Sequence, residues 1–272
     1  MHYRNYLAKT KHVIQSYTNK FLSCFYKAIK DPVFIIGNQK SGTTIISKLL
    51  SQATGEKLTC DFQRAINHST LQLELDFKLL DFPKFIQDYN YEFSKKIIKE
   101  PFLTYYINDL KYQFPKAKFI LIIRNPFDNI RSILNRLNIP GNIDKFNFNE
   151  YSEIIKTPVW KLAMQTNMLG ITSSNYIEAM ANRWNYIVNS YYQNSERIIL
   201  IKYEDFIKDK KNCIDILAKK VNLKVKYDIS KKVNIQYQKK GDRSINLVNF
   251  FGEENYSKIE TICKLNIEKI GY

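Results

Sequence analysis

The stretch Val33-Phe34-Ile35-Ile36-Gly37-Asn38-Gln39-Lys40-Ser41-Gly42-Thr43-Thr44 decides the fold of this chain. Its first four residues favour a buried strand, its two glycines bracket a loop, and a helix is expected from Thr43 onward. The spacing matches the nucleotide phosphate loop G-x-x-x-x-G-K-[ST], except that Thr43 stands where the pattern has Lys. Lys40, inside the loop, is its only cation. Because backbone N–H groups at a helix start bind anions, the stretch predicts a phospho-anhydride site that differs from that of a nucleotide triphosphatase.

A second segment follows the same pattern. Residues 119–123 are continuously apolar, which is typical of a parallel strand covered on both faces. Arg124 comes next, at the carboxyl end of the strand, where ligands bind in open α/β sheets. Ser132 and Arg136 are four residues apart and share one face of the helix that follows. Two guanidinium groups and a hydroxyl suit a second phosphate.

A third short strand, Ile97-Ile98-Lys99, also ends in a cation and is followed by Glu100 and Pro101. The alternation of buried strands and helices predicts an α/β fold, with a central parallel sheet flanked by helices, of the P-loop-containing nucleotide-binding type. The expected elements are strands 33–36, 96–99, 118–123 and 197–202 and helices 43–53, 102–113 and 126–137.

These motifs resemble those of sulfotransferases that use 3′-phosphoadenosine 5′-phosphosulfate (PAPS). GNQKSGTT (37–44) is similar to their 5′-phosphosulfate loop, and RNPFDNIRS (124–132) is similar to their 3′-phosphate motif. The resemblance in detail is to the tyrosylprotein and related bacterial branch, where a K-[DE]-P-F segment (here 99–102) precedes F-P-x-A-K-F (here 114–119). It covers about residues 33–272, and the two phosphate motifs are specific when they occur together.

The resemblance implies a role for each matching residue. Lys40 and Lys99 would stabilise negative charge during transfer, and Tyr203, in LIKYEDF, would contact the nucleotide. Arg136 would assist in binding the 3′-phosphate. The residues that the resemblance places on the donor are Lys40, Ser41, Gly42, Thr43 and Thr44 for the 5′-phosphosulfate, Arg124 and Ser132 for the 3′-phosphate, and Lys239, Lys240 and Gly241 as a cover over the 3′ side.

Three residues are candidates for the catalytic base. In the tyrosylprotein branch, a Glu follows the loop at a separation that here falls on Asp61, and we favour this carboxylate. Glu100 is the second candidate. His68 is the third, since the chain lacks the Lys-Thr-His segment of the small-molecule branch. A helix N-cap or a surface acid is the alternative explanation of Asp61.

The function that the resemblance implies is transfer of a sulfuryl group from PAPS to a hydroxyl acceptor, such as a glycan or a protein tyrosine. The product would be 3′,5′-bisphosphoadenosine (PAP), and no metal would be needed. Two alternatives stay open: a nucleotide or small-molecule kinase with a modified phosphate loop, and a catalytically silent polyanion-binding protein. Thr43 in the lysine position counts against the kinase.

The charge of the chain agrees with an anionic substrate. Lys and Arg number 42 against 26 Asp and Glu, so the net charge is +16 over 272 residues. Such a surplus attracts polyanions, but the lysines are dispersed and no nucleic-acid-binding motif is present. We therefore expect no nucleic-acid partner. The four cysteines are far apart, which favours reduced thiols and a cytoplasmic location.

We expect a helical extension over residues 1–30 and a single sulfotransferase domain over residues 31–272. Acceptor-binding insertions are predicted near 58–94 and 138–160, which carry no readable motif. Within the extension, residues 5–30 read as a basic helix. It either packs on the domain or makes peripheral contact with the inner surface of the membrane.

Overall fold

The computed structural model describes residues 14–68, 70–147, 149–151, 160, 163–166, 169–237 and 245–272. In these ranges, five strands form a parallel sheet in the order β2-β3-β1-β4-β5. The strands are β1 (Val33–Gly37), β2 (Leu58–Cys60), β3 (Ile97–Lys99), β4 (Lys118–Ile123) and β5 (Ile198–Lys202). The predicted fold class is therefore confirmed.

Helices flank the sheet, and residues 14–22 form a further helix before β1. A 3₁₀ helix, Pro101–Tyr106, directly follows β3. The labelled helices are α1 (Thr43–Thr54), α2 (Gln63–Asn67), α3 (Leu71–Asp76), α4 (Phe82–Asp88), α5 (Asn90–Phe93), α6 (Ile107–Gln113), α7 (Pro126–Leu137), α8 (Tyr176–Tyr192), α9 (Tyr203–Lys208), α10 (Lys210–Lys220) and α11 (Leu247–Ile270). A search of the described ranges for membrane-spanning helices finds no candidate.

The sheet separates two hydrophobic cores. In β1, Phe34 and Ile36 pack into one core while Val33 and Ile35 pack into the other. β4 alternates in the same way along its length. Because successive side chains of a strand point to opposite faces, a strand that is covered on both faces must be apolar at every position. This is the physical reason why β1 and β4 were readable from their unbroken apolar runs.

The order of the strands creates the ligand-binding edge. From β1 the chain passes to β2 at one edge of the sheet and then to β3, which lies between β2 and β1. It then crosses to the other side of β1, where β4 and β5 follow. The direction of winding therefore reverses around β1, and ligands of open α/β sheets bind at such a reversal. The phosphate loop follows β1, Lys99 ends β3 and Arg124 follows β4, so these groups meet at one edge.

Two element predictions differ from the structure. The predicted helix 102–113 is a 3₁₀ helix followed by α6, because Pro101 begins the first turn with Glu100 as its cap. The region 58–94, predicted as a variable insertion, begins with β2, which pairs with β3 at the sheet edge. β2 has the sequence Leu-Thr-Cys and so lacks the apolar pair that made β3, Ile-Ile-Lys, readable. Region 138–160 lies partly outside the described residues, so its prediction stays open.

Gly37 is required where β1 meets the loop. Its φ is 134°, and a Cβ added there would lie 2.2 Å from the carbonyl oxygen of Ile122 in β4. We therefore expect Gly37→Ala to lower the free energy of unfolding by more than about 3 kcal/mol. Gly170 is the matched control, since its φ is 68° but nothing lies within 4 Å of the added Cβ. Gly170→Ala should cost about 1 kcal/mol. Equal losses in urea unfolding would contradict the argument.

Candidate active site

The phosphate loop is held by its own polar groups. Asn38 accepts a hydrogen bond from the backbone N–H of Gln39 through its side-chain oxygen (3.0 Å). Its carbonyl oxygen accepts from both the N–H (3.2 Å) and the hydroxyl (2.7 Å) of Ser41. Lys40 and Gly42 have φ of 65° and 102°, so the chain turns sharply between them. Ser41 is buried, and its hydroxyl stabilises the loop.

The loop leads directly into α1. Gly42 is the N-cap, and Thr43 and Thr44 form the first turn of the helix. Thr43 is buried, whereas Thr44 is half-buried. The position that carries the phosphate-binding lysine in triphosphate loops is thus a threonine whose side chain points into the protein. The backbone N–H groups of this turn are the donors that the helix start offers to an anion.

The two phosphate motifs meet in one cleft. The guanidinium of Arg124 donates a hydrogen bond to the carbonyl oxygen of Lys40 (3.2 Å). The carbonyl of Arg124 in turn accepts from the indole N–H of Trp184 in α8 (2.8 Å). Arg124 is largely buried, so both contacts fix its position. The structure therefore brings together two basic motifs that are 84 residues apart.

Tyr203 packs against both motifs. Its ring lies under the guanidinium of Arg124, with 5.1 Å from the guanidinium carbon to the ring centroid. A Cβ added to Gly42 would lie 2.3 Å from the Cδ2 atom of Tyr203, so only glycine allows this approach. Tyr203 begins α9 immediately after β5. The structure thus brings Tyr203 to the cleft, as the resemblance implies.

Positive charges converge on Lys40. Burial, and next the charges of Arg136, Arg124 and Lys99, lower its pKa from 10.5 to about 8. Arg136 is exposed and Ser132 half-buried on α7, one helical turn apart. Such mutual repulsion at a partly buried site is relieved when an anion binds between the cations. The site is therefore electrostatically prepared for a polyanion.

Asp61 and Lys99 form an ion pair beside this cleft. The ammonium of Lys99 is nearly fully buried and donates to the Oδ1 atom of Asp61, which is half-buried. The backbone N–H of Asp61 donates to the carbonyl oxygen of Lys99 (2.9 Å), which joins the end of β2 to the end of β3. Burial, the largest single cause, lowers the pKa of Lys99, but the charges of Asp61, Cys60 and Glu100 and the hydrogen bond to Asp61 together outweigh it, and the pKa is raised. Lys99 is therefore charged at neutral pH.

The other two candidate bases occupy different surroundings. The carboxylate of Glu100 is buried and accepts hydrogen bonds from the backbone N–H groups of Phe62 (2.7 Å) and Phe102 (3.3 Å). Both of its oxygens therefore hold backbone in place. His68 is exposed and pairs with Glu74 through its ring nitrogen (3.2 Å). The three candidates therefore have different partners: Asp61 pairs with Lys99, Glu100 with backbone N–H groups and His68 with Glu74.

A buried polar network behind the loop was missed in the sequence. The amide of Asn129, in α7, accepts from the side chain of Asn38 (2.8 Å) and donates to the carbonyl of Gln39 (2.8 Å). Arg183, in α8, is buried and donates to the side-chain oxygen of Gln39. Arg183 follows Met180 by three residues within the apolar face of α8, and this spacing was a readable sign that it is buried.

Lys239, Lys240 and Gly241 lie outside the described residues. The residues on either side contact the two helices that border the cleft. Tyr237 lies under the ammonium of Lys48 in α1, at 4.4 Å from the ring centroid. The carbonyl of Ile245 accepts from Arg131 in α7 (3.3 Å).

The fold and the cleft define a nucleotide-binding α/β protein with a polyanion site. A family model, the sulfotransferase domain, matches residues 30–260. The chain belongs to the PAPS-dependent sulfotransferase family and is an enzyme of this class. The match supports the sulfotransferase prediction over the kinase alternative. A comparison with curated proteins finds no match.

Solved structures of sulfotransferases are similar to this chain in fold. Sulfotransferase STF9 from Mycobacterium avium is 14% identical, with a TM-score of 0.50, over 89% of this chain and 77% of that one. A sulfotransferase from Alicyclobacillus acidocaldarius is 15% identical, with a TM-score of 0.48, over 87% and 97%. Mouse sulfotransferase SULT7A1, solved in complex with PAP, is 13% identical, with a TM-score of 0.48, over 89% and 85%.

Glu100 gives the site a pH-dependent stability. Burial, and next the charge of Asp61, raise its pKa from 4.5 to about 7. The folded protein therefore binds this proton more tightly than the unfolded chain, and stability from this group is lost as the pH rises from about 4.5 to about 7. Gln stays neutral at every pH. The unfolding temperature of Glu100→Gln minus that of the native protein should therefore increase between pH 5 and pH 8.

The matched control for this measurement is Glu253→Gln, at an exposed position of α11. Its unfolding temperature should follow that of the native protein across the same pH range. A difference between Glu100→Gln and the native protein that stays constant with pH would show that Glu100 is not the titrating group.

Proposed function

We propose that this enzyme transfers a sulfuryl group from PAPS to a hydroxyl acceptor, with Asp61 as the general base. The observation that carries the proposal is the hydrogen bond from Arg124 to the carbonyl of Lys40. It places the two phosphate motifs in one cleft, with the Asp61–Lys99 ion pair at the neighbouring strand ends. A donor with anionic groups on both its 3′ and 5′ carbons needs such a pair of sites.

The residues would hold the donor as follows. The first turn of α1 would donate N–H groups to the 5′-phosphosulfate, and Lys40 would neutralise its charge. Arg124, Ser132 and Arg136 would bind the 3′-phosphate, and two guanidinium groups suit it because they donate in pairs. Tyr203 would contact the nucleotide. Lys239, Lys240 and Gly241 would cover the 3′ side, and the contacts of Tyr237 and Ile245 with α1 and α7 support this placement.

The chemical step follows from the same residues. The acceptor oxygen forms a bond to sulfur while the bond from sulfur to the 5′-phosphate oxygen breaks, and Asp61 takes the hydroxyl proton. The products are the sulfated acceptor and PAP. Lys40 and Lys99 stabilise the negative charge on the bridging and sulfuryl oxygens, which is the main catalytic contribution in transfers of this kind.

The acceptor, which we propose to be a glycan or a protein tyrosine, would approach from the Asp61 side. A cytoplasmic location is part of the proposal. Its support is that all four cysteines carry free thiols. Peripheral contact with the inner surface of the membrane is also proposed, and it depends on the N-terminal helix rather than on the cleft.

Binding of PAP should take up protons at Lys40. With a pKa of about 8, about half of the Lys40 side chains are neutral in the free protein at pH 8. A bound anion raises the pKa of Lys40 again. Calorimetry at pH 8 in buffers of different ionisation enthalpy should therefore show uptake of about half a proton on PAP binding, and the affinity for PAP should fall above pH 8. Lys40→Met should abolish the uptake, whereas Lys84→Met, at an exposed position, should retain it.

The same titration separates the donor classes. Mg·ATP should bind at least about tenfold more weakly than PAP, because the phosphate loop has a buried threonine where triphosphate loops have lysine. Tighter binding of Mg·ATP than of PAP would reject the donor that we propose. Unchanged proton uptake in Lys40→Met would reject only the role of Lys40.

Asp61→Asn should lower the rate of sulfuryl transfer by ~10²–10⁴-fold, which is the usual contribution of a general base. The measurement is transfer of labelled sulfate from PAPS to acceptors in an extract of the source cells. PAP affinity should change little, since Asp61 lies beside Lys99 rather than on the donor motifs. His68→Gln is the control and should keep the native rate. A native rate in Asp61→Asn, or a loss in His68→Gln, would assign the base elsewhere.

A further inference from the structure

The helix formed by residues 14–22 is oriented with its polar face toward the domain. Asn19 and Ser23, four residues apart, are each only 8% exposed. Asn19 donates to the carboxylate of Glu92 (3.1 Å). The hydroxyl of Ser23 accepts from Arg64 (3.2 Å) and from the backbone N–H of Tyr91 (3.2 Å). The domain thus holds this helix by hydrogen bonds to its polar residues.

The opposite face exposes large apolar side chains. Tyr17 and Phe21 lie about one turn apart on the helix and Phe25 lies in the turn that follows it, and their side chains are 73%, 65% and 70% exposed. Ile14 is exposed on the same face. Positions 17 and 19 are separated by about 200° around a helix axis, so the two faces are nearly opposite. The rings of Phe21 and Phe25 are in contact, with centroids 5.0 Å apart. We define Ile14, Tyr17, Phe21 and Phe25 as the N-terminal apolar face.

This arrangement is the reverse of an ordinary surface helix. A helix that packs on a globular domain directs its apolar stripe toward the core and its polar residues toward water. Here three aromatic side chains stay exposed in the described part of the chain, so they contribute no free energy of burial to folding there. Exposed apolar patches of this kind mark interaction sites.

The charges around the face indicate an anionic partner. Residues 1–30 contain six Lys and Arg and no Asp or Glu. Lys20, Lys27 and Lys30 are exposed in the same segment of the chain. An apolar helix face bordered by lysines is the pattern of helices that lie in the interface of a membrane, where aromatic rings enter the acyl boundary and cations contact lipid phosphates. A protein partner would need no such uniform sign of charge.

We infer that the N-terminal apolar face binds the surface of a bilayer that contains anionic lipids. The side chains of this face enter the headgroup region while the hydrogen bonds of Asn19 and Ser23 keep the domain attached to the helix. Arg64, which donates to Ser23, lies three residues after Asp61 in the chain. The N-terminal segment that carries the apolar face therefore contacts, through its opposite side, the segment that holds the proposed base.

Flotation with lipid vesicles tests the inference on the full chain. The native protein should bind vesicles of phosphatidylcholine with phosphatidylglycerol at least about tenfold more tightly than vesicles of phosphatidylcholine alone. The Phe21→Gln/Phe25→Gln double variant should bind the mixed vesicles at least about tenfold more weakly than the native protein. Tyr112→Gln/Leu265→Gln is the matched control, since both side chains are exposed elsewhere, and it should bind like the native protein.

A charge variant completes the test. Lys20→Gln/Lys27→Gln should reduce binding to the mixed vesicles about tenfold and leave binding to phosphatidylcholine unchanged. PAP affinity, measured in the same preparations, should be native in every variant. This control separates the membrane inference from the proposed function, because either can fail while the other holds.

Three outcomes would overturn the inference. The first is equal binding of the native protein to both kinds of vesicle, or none to either. The second is a native dimer, seen by light scattering, that Phe21→Gln/Phe25→Gln converts to a monomer, which would assign the face to a second copy of the chain. The third is a lower unfolding temperature in that variant without vesicle binding by the native protein, which would show that the chain itself covers the face.

Discussion

The cleft depends on keeping several cations close together at the carboxyl ends of three adjacent strands. Lys40 follows β1, Lys99 ends β3 and Arg124 follows β4, and their repulsion contributes to the lowered pKa of Lys40. Holding like charges at a partly buried edge is unfavourable, so the sheet and its cores must enforce it. The close approach of β1 and β4 at Gly37 is one such constraint. The free energy stored in this repulsion is released when an anionic substrate binds.

The side chains that hold the phosphate loop in place do not neutralise the positive charge of these cations. Asn38, Asn129 and Gln39 hold the loop through neutral amides. Arg183 adds a fourth anchor that is itself positive. A carboxylate in place of Asn38 or Asn129 would lose the N–H that each donates here, and its charge would oppose an anionic donor. Asp61, a carboxylate at the neighbouring strand end, is paired with Lys99.

The sequence predicted the parts whose pattern is local. β1 and β4 are apolar at every position, and the motifs that follow them have fixed spacing, so the sheet and the meeting of Lys40 with Arg124 were predicted. β2, Leu-Thr-Cys, has no apolar run to read, unlike β3 of the same length. Arg183 is separated from Gln39 by 144 residues, and no local signal states which buried arginine reaches the loop.

The region after α1 was the part that the sequence predicted least well. In the structure, it is where the site meets the N-terminal helix. Asp61 follows β2 at a φ of 63°, a conformation that a helix N-cap does not need, so its placement reflects the pairing with Lys99. Two residues later α2 begins, and its Arg64 donates to Ser23. A displacement of the N-terminal helix therefore acts on the segment that orients Asp61. If the membrane holds that helix, it also restrains the base, and an acceptor borne by the same membrane would reach a site already in position.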